Sequence, residues 1–233
     1  MLKADLHIHT GEDPYDKIKY SSKELIDHAA RLGFDVLAIT NHHKIHYSKK
    51  LADYAKRKGI LLISGVETHI NGKEVLLLNA RKPGRIKDFS DLERLKKENV
   101  VVIAPHAFYP LFSACLGEEL LKNIKYFDAI EYCHFYLPFL NSFNKKAVMV
   151  AKKYNKTLVG TSDSHRLFQM GHTYSLIDCN KDIDSVLEAI RKGKVQIRTK
   201  CLSYFSFLRI FFKIFSTGIS RKLNKIKFDN SYF

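Results

Sequence analysis

Short apolar runs of strand length alternate with segments of helical period along almost the whole chain, and this rhythm restricts the fold more than any other feature. ADLHIH (4–9) is followed by SSKELIDHAARLGF, where Leu25, Ile26, Ala29 and Leu32 recur at helical spacing behind a serine cap and ahead of Gly33. DVLAIT (35–40) precedes a helical stretch over about 47–58, and ILLISGVE (60–67) is joined to EVLLLN (74–79) through a turn-like NGK. Helices near 90–98, 116–124 and 142–154 lead into VVVIAPH, DAIEYC and TLVGTSDSH; TYSLID, a helix over about 183–192 and VQIRT complete the series. About seven such units predict a largely parallel sheet that closes, or nearly closes, into a barrel.

At 233 residues and 45% hydrophobic the chain can bury one barrel-sized core, and no Pro/Gly/Ser-rich linker divides it. The expected organisation is a barrel domain over 1–200 and a distinct tail over 201–233. In the tail, Ser206, Arg209, Lys213, Ser216 and Ser220 recur every three or four residues, leaving a wide aromatic and aliphatic face on a basic amphipathic helix. Such a helix can dock on the barrel, or make a peripheral membrane or dimer contact through 203–220, helped by the following RKLNKIK. Its charges argue against a transmembrane span, and no stretch reaches the roughly 18 uninterrupted apolar residues that one needs. Cys115, Cys133, Cys179 and Cys201 are scattered without a CxxC pair, which fits a reducing cytoplasm better than a disulfide framework or a thiolate zinc knuckle. The start, MLKADLHIHT, is too short and polar for a signal peptide. A formal net charge of +15 favours anionic partners.

The polar residues are distributed unevenly. In DLHIHT, strand alternation puts His7 and His9 on one face with Asp5, and Leu6 with Ile8 on the other. Asn41, His42 and His43 follow the second run, Glu67 the third, His106 and His134 later ones, and Asp163 with His165 closes TLVGTSDSH. Of eleven histidines only His28 falls inside a predicted helix, with His46, His69 and His172 counted as close to run ends. Barrels of this class gather reactive groups at the carboxyl ends of their strands. A mixed imidazole and carboxylate cluster suits zinc, manganese or ferrous iron, and these candidates exceed what one tetrahedral ion can use, so two or three divalent ions are implied. Ions so held bring a bound water to near-neutral pKa and clamp phosphoryl oxygens. No GxSxG elbow suggests a nucleophilic serine instead.

Taken together, DLHIHT, LAITNHH, ISGVE, VIAPH and GTSDSH resemble, in order and spacing, the PHP (polymerase and histidinol phosphatase) family over about residues 3–198. The resemblance implies a distorted (β/α)7 TIM-like barrel, here with a C-terminal amphipathic helical extension. It also implies a trinuclear metal centre and hydrolysis of a phosphomonoester or phosphodiester by attack of metal-bound hydroxide. Carried over by motif, the metal ligands would be His7, His9, Asp13, His42, Glu67, His106, His134, Asp163 and His165, with Glu67 bridging two ions and Asp16 an alternative to Asp13. Catalysis would rest on His7, His9, Glu67, Asp163 and His165. The family's usual aspartate before the second-motif histidine is replaced by Asn41, whose amide lacks that charge, so Asn41 is expected behind the ligands or against substrate, and Glu131 behind them too. Glu74 stands where many members carry a histidine. His69 is expected on the rim. Lys44 and Arg166 are the candidates for holding the substrate phosphate. The expected substrate is a phosphorylated small molecule or a short nucleotide. The alternatives are a nuclease trimming short oligonucleotides, and a non-catalytic metal-binding or membrane-associated regulatory protein.

Overall fold

The strand and helix segments anticipated above form where the pattern places them, but their directions differ. The computed structural model describes residues 1–82, 86–110 and 113–211. Its strands are β1 (Leu2–Ile8), β2 (Val36–Ile39), β3 (Leu61–Ile70), β4 (Lys73–Leu78), β5 (Val101–Ala104), β6 (Ala129–Tyr132), β7 (Thr157–Gly160), β8 (Thr173–Ile177) and β9 (Val195–Thr199). The helices are α1 (Ser22–Arg31), α2 (Lys49–Arg57), α3 (Leu92–Lys97), α4 (Glu118–Asn123), α5 (Ser142–Lys153) and α6 (Ile183–Arg191). Side-chain caps start several of them. Ser21 and Glu24 form a capping box on α1, and Ser48 and Asp182 cap α2 and α6.

All nine strands join one sheet in the order β7-β6-β5-β4-β3-β2-β1-β8-β9. The β1/β2, β2/β3, β5/β6 and β6/β7 pairs are parallel, whereas β3/β4, β4/β5, β1/β8 and β8/β9 are antiparallel. The sheet is therefore mixed, with nine strands rather than seven, and the expectation of a largely parallel sheet is corrected. One cause is local. Asn71 and Gly72 both adopt positive φ (51° and 75°), the backbone of a two-residue hairpin turn, so β4 must run back along β3. The ends of the sheet nearly meet. Gly160 N donates to Ser175 Oγ and that hydroxyl donates to Gly160 O, each at 3.0 Å, while His9 N donates to Ser164 O at 3.1 Å. A Cβ on Gly160 would lie 2.8 Å from Tyr174 O, so this close approach needs glycine.

Apolar side chains fill the barrel interior. Ala4, Leu6, Val36, Ala38, Ile63, Leu76, Val101, Ile103 and Val159 pack there with Val186, Leu187 and Ile190 of α6. A second layer under α1 and α2 holds Ile8, Leu25, Ile26, Leu37, Ile39 and Ala55. Leu6 and Ile8 thus belong to different layers, and the expected simple alternation along DLHIHT fails. A register shift between Asp5 and Ile8 is the reason: this bulge re-aims the strand end.

Residues 204–211 are helical and lie against the barrel, with Leu202, Phe207 and Ile210 buried among Tyr109, Phe135, Leu137 and Phe143. The rings of Phe207 and Phe135 stack with centroids 4.4 Å apart and planes 3° from parallel. The rest of the anticipated tail, including half of 203–220, lies outside the described residues. Among the described residues no helix is long and apolar enough to cross a membrane.

Candidate metal centre

The loops at the carboxyl ends of the strands bring the anticipated residues to one cup. His7 and His9 come from the end of β1, Asp13 and Asp16 from the loop behind it, and His42 from the exit of β2. Glu67 comes from β3, Glu74 from β4, and His106, Asp163 and His165 from the segments after β5 and β7. His43, His106 and Asp163 hold positive φ (53°, 27° and 42°), backbone strain of the kind that persists where surrounding structure fixes a functional side chain.

The tightest part of the cup is a group of four atoms. His7 Nε2 and His9 Nε2 lie 3.1 Å apart. Glu67 Oε2 is 3.4 Å from the first and 3.3 Å from the second, and Asp163 Oδ1 is 3.4 Å from each. Ligand bonds of ~2.0–2.1 Å at tetrahedral angles give an edge of about 3.3 Å between donor atoms, so each of these five spacings is that expected between two donors to one divalent ion. Glu67 extends the arrangement. Its Oε2 is also 3.2 Å from His42 Nε2, and its Oε1, buried and without a hydrogen-bond partner, is 3.4 Å from His106 Nε2. An orphaned buried carboxylate oxygen is costly in a dry site and is relieved by a cation.

Groups behind the imidazoles fix which nitrogen faces the cup. His7 Nδ1 donates to Glu131 Oε2 at 2.7 Å, and the Nδ1 atoms of His9 and His42 each donate to Asp13 Oδ2 at 2.9 Å. Asp13 Oδ2 also accepts from His42 N, while its Oδ1 accepts from Tyr15 N and Asp16 N. A carboxylate on Nδ1 leaves the Nε2 lone pair free and raises its basicity as a ligand. His106 Nδ1 has Cys115 Sγ at 3.3 Å. His165 Nε2 lies 2.9 Å from Asp16 Oδ2.

Electrostatically the cup asks for positive charge. Burial alone would depress His7, but the carboxylates of Asp163, Glu67 and Glu131 outweigh it and raise its pKa to about 10. His9 and His106 are raised in the same contest, the first by Asp13, Asp163 and Glu67, the second by Cys115, Glu67 and Glu74. Desolvation opposes ionisation of Asp13, Glu67 and Asp163 as well, yet the surrounding imidazoles hold all three well below the usual carboxylate range. Protons on the imidazoles therefore balance the carboxylates, and divalent cations are the natural replacement for those protons.

Not every anticipated residue faces the cup in the same way. Asn41 is a strut: its Oδ1 accepts from Thr10 N at 2.8 Å and its Nδ2 donates to Thr10 Oγ1 at 2.9 Å, tying the β1 and β2 exits together. His134 is buried with Nε2 3.0 Å from the Gln169 amide and Nδ1 unpartnered, and burial pushes its pKa down to about 4. His69 sits on the rim, stacked on His43 with His43 Nε2 2.7 Å from His69 Nδ1. Lys44 is exposed and Arg166 half-buried, each one residue beyond a cup or rim histidine. Glu74 has its carboxylate 3.7 Å from His106 and 3.6 Å from His69. Cys115 and Gln169 had no signal in the sequence, because only tertiary approach brings them behind His106 and His134.

Comparison with known proteins places this geometry in a family of folds. A family model described as PHP-associated matches residues 141–195. The structure of a two-domain protein from Bacteroides vulgatus, containing a predicted PHP-like metal-dependent phosphoesterase, superposes with a TM-score of 0.66 at 21% identity, covering 91% of this chain and 69% of that one. In fold the chain is similar to PHP-like proteins. It is also similar in fold to the lesion-specific endonuclease PfuEndoQ from Pyrococcus furiosus, with a TM-score of 0.58 at 13% identity, covering 84% of this chain and 57% of that one. An uncharacterized protein of Methanocaldococcus jannaschii, MJ1587, is 29% identical over 142 residues, 55% of this chain and 82% of that protein.

Proposed function

We propose that this chain is a metal-dependent phosphoesterase that hydrolyses a phosphomonoester or phosphodiester with two or three divalent ions, zinc, manganese or iron, held in the cup. The observation that carries the reading is the pair of Nε2 atoms 3.1 Å apart, each with a Glu67 oxygen and an Asp163 oxygen 3.3–3.4 Å away. His7, His9, Glu67 and Asp163 would hold one ion. Glu67, through its unpartnered Oε1, would share a second with His106, and Asp16 rather than Asp13, whose oxygens already accept from His9, His42, Tyr15 and Asp16, would hold a third with His42 and His165. His134, with a buried unpartnered Nδ1, is proposed as a further ligand. Bound divalent ions would supply an ionisable water near neutral pH and Lewis acidity toward phosphoryl oxygens.

The chain's own residues do the positioning. Glu131 and Asp13 hold the Nδ1 protons of His7, His9 and His42, so that each ring presents Nε2. Asn41 keeps the first two loops in register. Lys44 and Arg166 are proposed to take the phosphate oxygens that face away from the carboxylates. The PHP-like phosphoesterase description of the Bacteroides relative supports the reaction class. Its scattered thiols fit a cytoplasmic enzyme.

A second reading, a nuclease acting on short oligonucleotides, is favoured by the +15 charge and by the likeness to an endonuclease. One panel decides between them. Metal-loaded protein is incubated with p-nitrophenyl phosphate, its bis-ester, nucleoside monophosphates and short single-stranded oligonucleotides. The expected result is turnover of at least one class. Cleavage of the oligonucleotide alone, falling steeply between 50 and 200 mM salt, roughly 10³-fold if six phosphates are contacted, selects the nuclease. No turnover of any phosphoester by protein verified to carry metal overturns both.

A further inference from the structure

Among the described residues, six of the nine exposed large apolar side chains lie in three segments. Phe139 and Leu140 in the loop after β6, Val148 and Met149 on α5, and Tyr204 and Phe205 on the last described helix include the most exposed of them: Phe205 at 85%, Phe139 at 78%, Met149 at 70% and Tyr204 at 59%. These three segments share one small core. Leu137 of the loop, Phe143 of α5 and Phe207 and Ile210 of the helix pack together in it, so the exposed residues flank a single rigid unit. Exposure of several large apolar side chains around one small core marks an interaction surface.

The charge around this surface says what covers it. The outer side of α5 carries Lys145 and Lys146 before the Val148/Met149 pair and Lys152 and Lys153 after it, with no acidic residue in the helix. Glu118, paired with Lys146 at 2.9 Å, is the acidic group that reaches this side from α4. From residue 200 onward the sequence carries Lys200, Arg209, Lys213, Arg221, Lys222, Lys225 and Lys227 against Asp229 alone. A second copy of the chain would set these cations against one another across a two-fold axis. Exposed aromatic and aliphatic side chains together with the lysines of α5 suit an anionic lipid surface, in which rings sit at headgroup depth and cations meet lipid phosphates.

We infer that the face formed by the 139–140 loop, the outer side of α5 and the 204–211 helix docks this protein on an anionic lipid bilayer. The docked helix is also beside the cup. Phe207 stacks on Phe135, the neighbour of His134, and Arg209 lies over the Phe168 ring at 5.6 Å, next to Gln169. The inference does not depend on the reaction proposed above.

The test is co-sedimentation of the full chain with sucrose-loaded vesicles of phosphatidylcholine alone or with 30% phosphatidylserine. Binding to the anionic vesicles is expected, at least tenfold weaker on neutral vesicles and at 0.5 M salt. The exposed pair F139S/F205S is expected to lose at least tenfold in partitioning, with metal content and circular dichroism unchanged. Should that variant fold poorly, K145E/K152E, on an exposed helix face, is expected to lose the same anionic preference. Failure of the wild-type chain to sediment with anionic vesicles overturns the inference, as does binding indifferent to the variant used. So does a lipid-free dimer that F139S/F205S dissolves.

Discussion

Glu67→Gln is expected to lower kcat by at least about a hundredfold, since even groups that only orient metal ligands are worth that much, and to reduce bound metal in parallel. Glu67 reaches more of the cup than any other side chain: His7, His9 and His42 face one of its oxygens at 3.2–3.4 Å and His106 faces the other at 3.4 Å. Glutamine keeps the shape but removes the charge that draws those imidazoles together, and it turns one oxygen into a donor that no ion can use. Its Nε2 would point at nitrogen lone pairs or at a cation. Metal content by inductively coupled plasma mass spectrometry, alongside turnover of the best substrate in the panel, checks both effects. His28→Ala, on α1 and outside the cup, is expected to leave both unchanged. A Glu67→Gln enzyme with wild-type metal content and rate would remove Glu67 from the centre.

Asp5→Asn is expected to stabilise the metal-free protein above pH 7 and to flatten its pH dependence. Asp5 is fully buried, with Oδ1 accepting from Ser162 N at 3.0 Å and Oδ2 unpartnered. Desolvation dominates over that hydrogen bond and raises its pKa from 3.8 to about 7. The sign follows from proton binding. Between pH 3.8 and about 7 the folded protein keeps the Asp5 proton that the unfolded chain releases, so folding stability falls as pH rises through that window. At about 1.4 kcal/mol per pH unit the loss reaches roughly 4 kcal/mol by neutral pH. Asparagine is neutral throughout and can keep the bond from Ser162. Urea unfolding of chelated protein at pH 5 and pH 8 measures it: the variant should gain more at pH 8 than at pH 5. An equal effect at both values would contradict the raised pKa.

Much of the cup was legible because its residues sit at strand ends, and strand ends can be found from apolar runs. His7, His9, His42, Glu67, His106 and Asp163 were all expected near one another, and the loops do bring them together. Strand direction was harder to read. The Asn71-Gly72 pair carried the signal for an antiparallel β4, since both residues favour the left-handed backbone that a two-residue hairpin needs. Nothing comparable marked β8 and β9, because α6 between them looks like an ordinary crossover. The β1 bulge left no trace either: DLHIHT keeps perfect alternation in sequence while its backbone breaks the register. The partners behind the histidines divide in the same way. Glu131 follows strand logic from β6, whereas Cys115 and Gln169 are placed by loops whose paths no local pattern encodes.

The central claim is that the cup grips several divalent ions, and anomalous diffraction from crystals grown with zinc or manganese tests it most directly. The account predicts at least two anomalous peaks in the cup, one of them ~2.0–2.2 Å from His7 Nε2, His9 Nε2 and a Glu67 oxygen. A cup without a peak, its imidazoles and carboxylates satisfied by one another as hydrogen bonds at full metal saturation, would contradict it.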